Sequence, residues 1–419
     1  MFEIINAFLY CGLFYYLIRK GANRLALFVV SIWAVSAVLG IFYTKMDIYK
    51  YRSNDLDELQ LLPFFYLFVC FVLCVRPLIK LSNLNISIKC NTRLLDYCGI
   101  LFTILSVPFF IECVYQLVDF AISGRFLLLG ANYDDLASGN ADALITFSSF
   151  GRKASAILSW CKVVTPILFF INLQRSDSNK YVTIGLFLAA VSPALYNITI
   201  GSKTQLVVFL IYFISLYLFF SKSLGDSIKS KVKILITGIG AVSLAIVISL
   251  SVGRYVLGDY YSTSNAETSD FLYKYSAESM YNFNQNAYHE ENTLMGYFTA
   301  LPVLNILGID NTDVSDYVDH AEKKLHCNPV IFYGLIGDLV IDFGLLGAFL
   351  ILLLLSLPLS RIRFDSDVSL SKMILYCLYI YIVSNSLFYF ILKLNWDVIY
   401  VTLGVALLFS LSSKKQIQV

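Results

Sequence analysis

The sequence predicts an all-α polytopic integral membrane protein of about eleven transmembrane helices, with one large external loop. Three observations carry that prediction. Hydrophobic residues make up 58% of the 419-residue chain and charged residues only 14%, against roughly 25% charged in a soluble domain. Apolar stretches of roughly 17 to 25 residues, the length a bilayer core demands, recur from end to end. Basic residues cluster in alternate connections, as cytoplasmic loops do under the positive-inside rule. The net charge of +2 matters less than this placement, and no nucleic-acid partner is expected.

Taken in order, residues 2–18 form the first span. Its positive flank, Arg19, Lys20 and Arg24, follows it, and neither a basic leader nor a small-residue cleavage site precedes its end. This predicts an uncleaved first span with the N-terminus outside. Spans 25–44 and 61–79 follow, with Lys80, Lys89 and Arg93 inside. Span 97–118 rises to a medium external loop, 119–153, and 154–173 returns to Arg175 and Lys180. Spans 181–200 and 204–221 are joined outside by the tight hairpin "IGSKTQ" and lead to Lys222, Lys229, Lys231 and Lys233. Span 234–252 opens into the largest external loop, 253–330. Spans 331–357, 373–392 and 395–412 complete the set, with Arg361, Arg363, Lys372, Lys414 and Lys415 inside. The chain thus reads as a single integral membrane domain, 1–419, with the C-terminus inside and no internal repeat of the kind many transporters carry.

The nine cysteines fall mostly in apolar spans and form neither a disulfide framework nor a metal-spaced set. The large loop holds eleven acidic residues against Arg254, Lys274, Lys323 and Lys324, and all three histidines, His289, His320 and His326. No His-Glu-x-x-His spacing occurs, and His320 and His326 do not share a helical face, so no metal is expected. Chemistry belongs on the outer face.

The informative cations are those that break the charge rule. Arg125 in "SGRFLLLG", Arg152 and Lys153 in "FGRKAS", Lys203 in "IGSKTQ" and Arg254 in "VGRYVLG" all lie at outer membrane edges, each with a glycine within two residues on its N-terminal side. Glycine lets a backbone approach a ligand closely, and arginine grips phosphate in bidentate fashion. Arg125, Arg152, Lys203 and Arg254 therefore read as a site for a lipid-linked phosphate or pyrophosphate. The competing reading is that they snorkel to lipid headgroups. Lys162 sits inside a span, where an ionisable residue is a functional hypothesis by default; Glu112 is a carboxylate available to neutralise it.

In the large loop, residues 268–298 read as helical in pieces and rich in aromatic rings, Tyr273, Tyr275, Tyr281, Phe283, Tyr288, Tyr297 and Phe298, interleaved with the amides Asn282, Asn284, Gln285 and Asn286. Flat rings beside amides suit sugar faces and hydroxyls, or they pack the loop onto the membrane surface. Asp313, Asp316, Asp319 and Glu322 read as one acidic helix face. Beyond the loop, "GLIGDLVIDFGLLG" places Asp338 and Asp342 four residues apart on one helical face, at a cost of at least about 2.5 kcal/mol per carboxylate in hydrocarbon. Either they face a cavity under the outer loop, within pairing reach of Arg254 or Lys203, or 329–342 is an outer amphipathic helix with solvated aspartates and the span starts near Phe343. A general base is expected among His289, Glu290, Glu291, His326, Asp338 and Asp342.

This combination resembles the Wzy-type polymerases of bacterial O-antigen and capsule repeat units, relatives of the O-antigen ligases. The likeness rests on "GDLVIDFGLLG" (337–347) soon after the largest outer loop and on "IGSKTQLVVFLIYF" (200–213), where Lys203 stands in the place of the family's usual arginine. His326-Cys327-Asn328 is similar to the His-Asn pair of the ligases. The resemblance covers the topology from about residue 97 onward. It implies a GT-C-like helical architecture and a metal-independent, cofactor-free inverting transferase in the bacterial cytoplasmic (inner) membrane. The substrates would be undecaprenyl-pyrophosphate-linked oligosaccharides, with a chain-length regulator and a flippase as partners. A glycan ligase, or a flippase for lipid-linked oligosaccharide, are the alternatives.

Overall fold

Backbone polar groups in hydrocarbon must be satisfied within their own segment, and the apolar runs accordingly form helices. The computed structural model describes residues 1–45, 59–81, 88–125, 128–129, 147–257, 270–297, 299, 321–328, 331–362, 364, 368–388 and 396–416, with the backbone alone at 254–257, 270–272, 396 and 413–416. Among these residues seven helices are long and apolar enough to cross a bilayer. They are α1 (Phe2–Arg19), α2 (Arg24–Tyr43), α3 (Leu61–Ile79), α4 (Thr92–Ile122), α7 (Lys180–Thr199), α9 (Asp226–Leu257) and α11 (Gly334–Leu359). Two further helices, α5 (Ser149–Trp160) and α6 (Val164–Gln174), meet at 75° and together are long enough for one more crossing. Shorter apolar helices are α8 (Thr204–Phe220), α12 (Leu370–Ser384) and the apolar stretch Asp397–Ser412 of α13 (Trp396–Gln416), while α10 (Asp270–Gln285) is polar and aromatic. The protein is an all-α polytopic membrane protein, with one two-residue parallel pairing of β1 (Ile88–Lys89) and β2 (Val368–Ser369).

The chain packs as two compact units: Met1–Asn83, Asn265–Arg363 and Ile382–Trp396 in the first; Leu84–Ser264, Phe364–Tyr381 and Asp397–Val419 in the second.

In the first unit, Asn23 makes the α1–α2 turn. Its Oδ1 accepts from the Ala26 amide as an N-cap, while its Nδ2 donates to the carbonyls of Leu78 and Leu81 at the end of α3. Tyr10, Trp33 and Phe71 form the aromatic core, with ring centroids 4.4 Å apart for Trp33–Phe71 and 5.5 Å for Tyr10–Trp33. Helix α10 packs into this bundle. Ser36 Oγ, roughly 10 Å along α2 from its end at Tyr43, donates to the Ser276 carbonyl. Gly40 leaves room for the Tyr281 ring, and Asn284 exchanges two hydrogen bonds with the Gln60 backbone. Of the rings expected either to face sugars or to pack, Tyr281 and Phe283 pack: both are fully buried core residues. The amides hold the backbone, with Asn282 donating to the Phe332 carbonyl.

Helix α11 begins at Gly334 and is broken at Gly344, whose φ of 72° and ψ of 171° lie outside the helical region. Every residue from Gly334 to Asp342 is buried, whereas beyond the break Leu346, Leu350 and Leu354 are exposed at helical spacing, as a lipid-facing stripe is. Gly334 has φ +71°, and a Cβ there would stand 3.0 Å from the carbonyl oxygens of both Ser386 and Leu387. The Leu335 amide, left without a partner by the helix start, donates to Ser386 O at 2.8 Å. The helix breaks at Gly344, and the aspartates before the break are buried, so the reading of them as solvated is overturned.

In the second unit, α4 has 31 residues and is roughly 46 Å long, more than the ~30 Å of a hydrocarbon core. It packs on α7 through small residues, Gly99 against Val182 and Gly185 against Thr103, and Ser106 Oγ donates to the Gly185 carbonyl at 3.0 Å. The expected span 154–173 is instead the bent α5–α6 pair. Pro166 has no N–H for the Lys162 carbonyl four residues back, which favours a break in that turn. The largely buried turn is closed by Thr165, whose amide and hydroxyl both reach the Cys161 carbonyl, and by Tyr212 Oη on the Val163 carbonyl. Arg175 follows α6 and is clamped between Asp96 at 2.6 Å and Asp177 at 3.1 Å, which holds the Asp177 carboxyl below its ordinary range.

Candidate functional site

Of the expected catalytic candidates, the structure joins Glu290 and His326. A short 3-10 turn, Ala287–His289, ends α10's chain and delivers Glu290 beneath the segment 326–327. The Glu290 side chain is 1% exposed and the His326 side chain 78% exposed. Glu290 Oε2 accepts from the His326 amide at 2.8 Å and the Cys327 amide at 2.9 Å. Its Oε1 accepts from the Asn292 amide at 3.0 Å and lies 3.3 Å from His326 Nδ1. Burial alone raises a carboxyl's pKa. Here the donors from Asn292, Cys327 and His326 outweigh it and hold Glu290 below its ordinary value. The result is a buried anion behind an exposed imidazole, the arrangement that orients a ring nitrogen toward solvent or substrate.

Asn292, which the sequence did not single out, and Cys327, named there only between His326 and Asn328, complete this cluster. Asn292 Nδ2 lies 3.2 Å from His326 Nδ1, so amide and carboxylate face the same ring nitrogen. Cys327 is half-buried; burial pushes its thiol up to about 12, and it shares hydrogen bonds with Tyr333 and Glu290. A histidine beside two carboxylates, His289-Glu290-Glu291, was the sequence signal. The partner that matters, His326, stands 36 residues further on.

Asp338 and Asp342 are 4% and 1% exposed. Asp342 Oδ2 accepts from the amide of Thr299 at 2.9 Å and from its hydroxyl. The break at Gly344 leaves the last carbonyls of the first half of α11 without helical donors, and loop amides take them: Leu294 N on Ile341 O at 3.1 Å and Gly296 N on Asp342 O at 2.9 Å. Tyr66 Oη donates to the Leu345 carbonyl just beyond. His289 is exposed and packs edge-on against Tyr288 at 5.3 Å. His320 and the acidic positions 310–319 lie outside the described residues.

The expected phosphate-binding cations lie in the second unit. Gly201, at φ +74°, turns the chain out of α7, and Lys203 Nζ donates to Ser251 Oγ on α9 at 2.6 Å. Arg254 follows one turn later on α9; its side chain lies outside the described residues. Arg152 is exposed in the first turn of α5. That turn is tied to α4 by Glu112, which accepts from the Ser148 amide at 2.6 Å and its hydroxyl at 3.0 Å. Phe147 joins it to Tyr196 near the end of α7, with centroids 5.4 Å apart. Arg152, Lys203 and the Arg254 backbone therefore share one end of this unit. Arg125 is separate. Roughly 15 Å of helix runs from Glu112 to the end of α4 before it, and it is engaged locally, with Asp119 at 3.5 Å and over the Phe120 ring. Glu112, a candidate counter-ion for Lys162, is bonded to Ser148 instead.

Among the described residues no three His, Cys, Asp or Glu side chains converge to hold a metal ion. Comparison of the chain with protein-family models, with curated proteins and with solved structures finds no match.

Proposed function

We propose that the protein is a membrane glycosyltransferase that polymerises lipid-linked oligosaccharide repeat units at the outer face of a bacterial cytoplasmic membrane. In this reading the chain has about eleven spans in a GT-C-like arrangement, with the N-terminus outside. The observation that carries the reading is the Glu290–His326 pair, a buried carboxylate bonded to an exposed imidazole. His326 takes the proton of the acceptor hydroxyl through Nε2, and Glu290 holds the ring. The acceptor oxygen forms its bond to the anomeric carbon of the nascent glycan as the bond from that carbon to the polyprenyl pyrophosphate breaks. Lys203, Arg254 and Arg152, at one end of the second unit, are read by themselves as binders of a lipid-linked pyrophosphate, a group at which positioned cations are worth several kcal/mol. Arg125, held by Asp119 and Phe120, is assigned to lipid headgroups.

The test is a surface-glycan ladder from a deletion strain complemented with wild type, His326→Gln, Lys203→Ala and Arg254→Ala at matched expression. The expected result is a ladder from wild type and a single repeat unit from His326→Gln, with shortened ladders from the two cation variants. A ladder persisting in the deletion strain itself refutes the polymerase reading. Loss of all surface glycan, including the single unit, indicates a ligase or a flippase instead.

A further inference from the structure

Residues Glu290 to Tyr297 run as a strap between two buried carboxylates. At one end Glu290 is fixed by the amides of Asn292, His326 and Cys327. At the other, Leu294 and Gly296 donate their amides to the open carbonyls of Ile341 and Asp342, and the Asp342 carboxylate takes both the amide and the hydroxyl of Thr299. Between them the backbone is tightly turned. Met295 has φ 56°, the sole non-glycine residue in the left-handed region among the described residues, and Gly296 has φ 83° with the Phe343 ring against it. A bulky residue held at positive φ persists only where its surroundings over-determine the backbone. Here those surroundings are the hydrogen bonds to the broken end of the first half of α11.

The strap also carries both groups that face His326 Nδ1, Glu290 and Asn292. Wherever it sits, it sets the orientation of that ring. We propose that Asp342 is a positioning residue: by pinning the strap through Thr299 and Gly296, it fixes Glu290 and Asn292 against His326. This rests on the transferase reading for the role of His326, but the pin itself does not. It also separates two aspartates that look equivalent in sequence, since Asp342 is committed to the strap through the bonds just described. The helix break supplies the reason for the pin. Without Gly344, the Ile341 and Asp342 carbonyls would be taken by α11's own amides and the strap would lose its bonds through Leu294 and Gly296.

The experiment compares full-length wild type with Thr299→Val, Thr299→Ser, Asp342→Asn and His326→Gln in proteoliposomes. Polyprenyl-pyrophosphate-linked repeat units extracted from the deletion strain serve as donor and acceptor, and amide hydrogen exchange is read in parallel. Thr299→Val is expected to lower kcat roughly tenfold with KM unchanged, because a positioning error acts on the reacting geometry rather than on binding. Thr299→Ser, which keeps the hydroxyl, restores it. The amides of Leu294 and Gly296 exchange about tenfold faster in Thr299→Val and Asp342→Asn than in wild type. Wild-type protection of those amides in both variants overturns the proposal, as does faster exchange with unchanged kcat. Transfer that survives in His326→Gln refutes the transferase reading of the pair and the positioning role with it; the exchange rates then still report whether the pin exists.

Discussion

Glu290 and His326 divide one function between burial and exposure: the carboxylate oxygen lies 3.3 Å from the imidazole Nδ1, yet one side chain is sealed in the protein and the other open. Three backbone amides donate to the carboxylate, so its position is fixed by the chain itself. The imidazole borrows that rigidity while keeping its other nitrogen free of the cluster.

Glu290→Gln tests the charge with little change of shape. The amide presents an N–H to donors that a carboxylate would accept, so about 2 kcal/mol of stability is lost at neutral pH. Because the folded carboxyl titrates below its ordinary value of 4.5, its contribution is complete above that pH and is lost as pH falls through the folded value. The gap in unfolding midpoint between wild type and Glu290→Gln should therefore be constant near neutrality and shrink below about pH 4.5. A gap independent of pH would show that the donors do not act on the charge.

Asn292→Ala tests the choice of tautomer. With the amide removed, Glu290 alone faces His326 Nδ1, and a carboxylate there favours a proton on that nitrogen. The expected outcome is a larger Nδ1-protonated fraction, read by nitrogen NMR of labelled histidine, with transfer activity at or above wild type. An unchanged tautomer ratio would mean that Asn292 does not compete for the ring.

Cys327 reports on the same cluster. Its thiol is held up to about 12 by burial first, with the neighbouring Glu290 adding to it. Maleimide, which reacts with the thiolate, should modify Cys327 slowly in wild type and faster in Glu290→Gln. Equal rates would place Cys327 beyond the influence of the carboxylate.

Gly334→Ala and Gly344→Ala should both destabilise. Each residue has φ above +70°, and Gly344, with ψ 171°, lies in a region essentially restricted to glycine, at a cost of about 1–3 kcal/mol for an L-residue. At Gly334 a Cβ also meets two carbonyl oxygens at 3.0 Å, whereas at Gly344 the nearest atom is a Thr293 methyl at 3.4 Å, an ordinary contact. Thermal unfolding of each variant beside wild type in one detergent checks this, and a wild-type midpoint in either would contradict the strain at that position.

Local physics made much of this protein readable from its residues. Span-length apolar runs become helices because hydrocarbon offers the backbone no other partner, and turns such as Gly201–Lys203 follow from glycine's freedom at positive φ. The candidate list for the outer chemistry likewise contained both members of the Glu290–His326 pair. Three things lay beyond one-dimensional reading. The bend at Lys162–Val163 has Pro166 as a local cue, but its closure needs Tyr212 from another helix. The packing of α10 among α1–α3 depends on Ser36, Gly40 and Gln60, far away in the chain. The different fates of Asp338 and Asp342, four residues apart on one face, follow from which of them meets Thr299.

The sequence by itself determined that this is a many-helix membrane protein, and which residue types are available for chemistry, because both depend on hydrophobicity and charge within a few residues of chain. Only the tertiary structure decided that Glu290 is buried behind His326 and that Asp342 holds the strap. Those roles depend on hydrogen bonds between segments 36 and 43 residues apart, and no local preference encodes them.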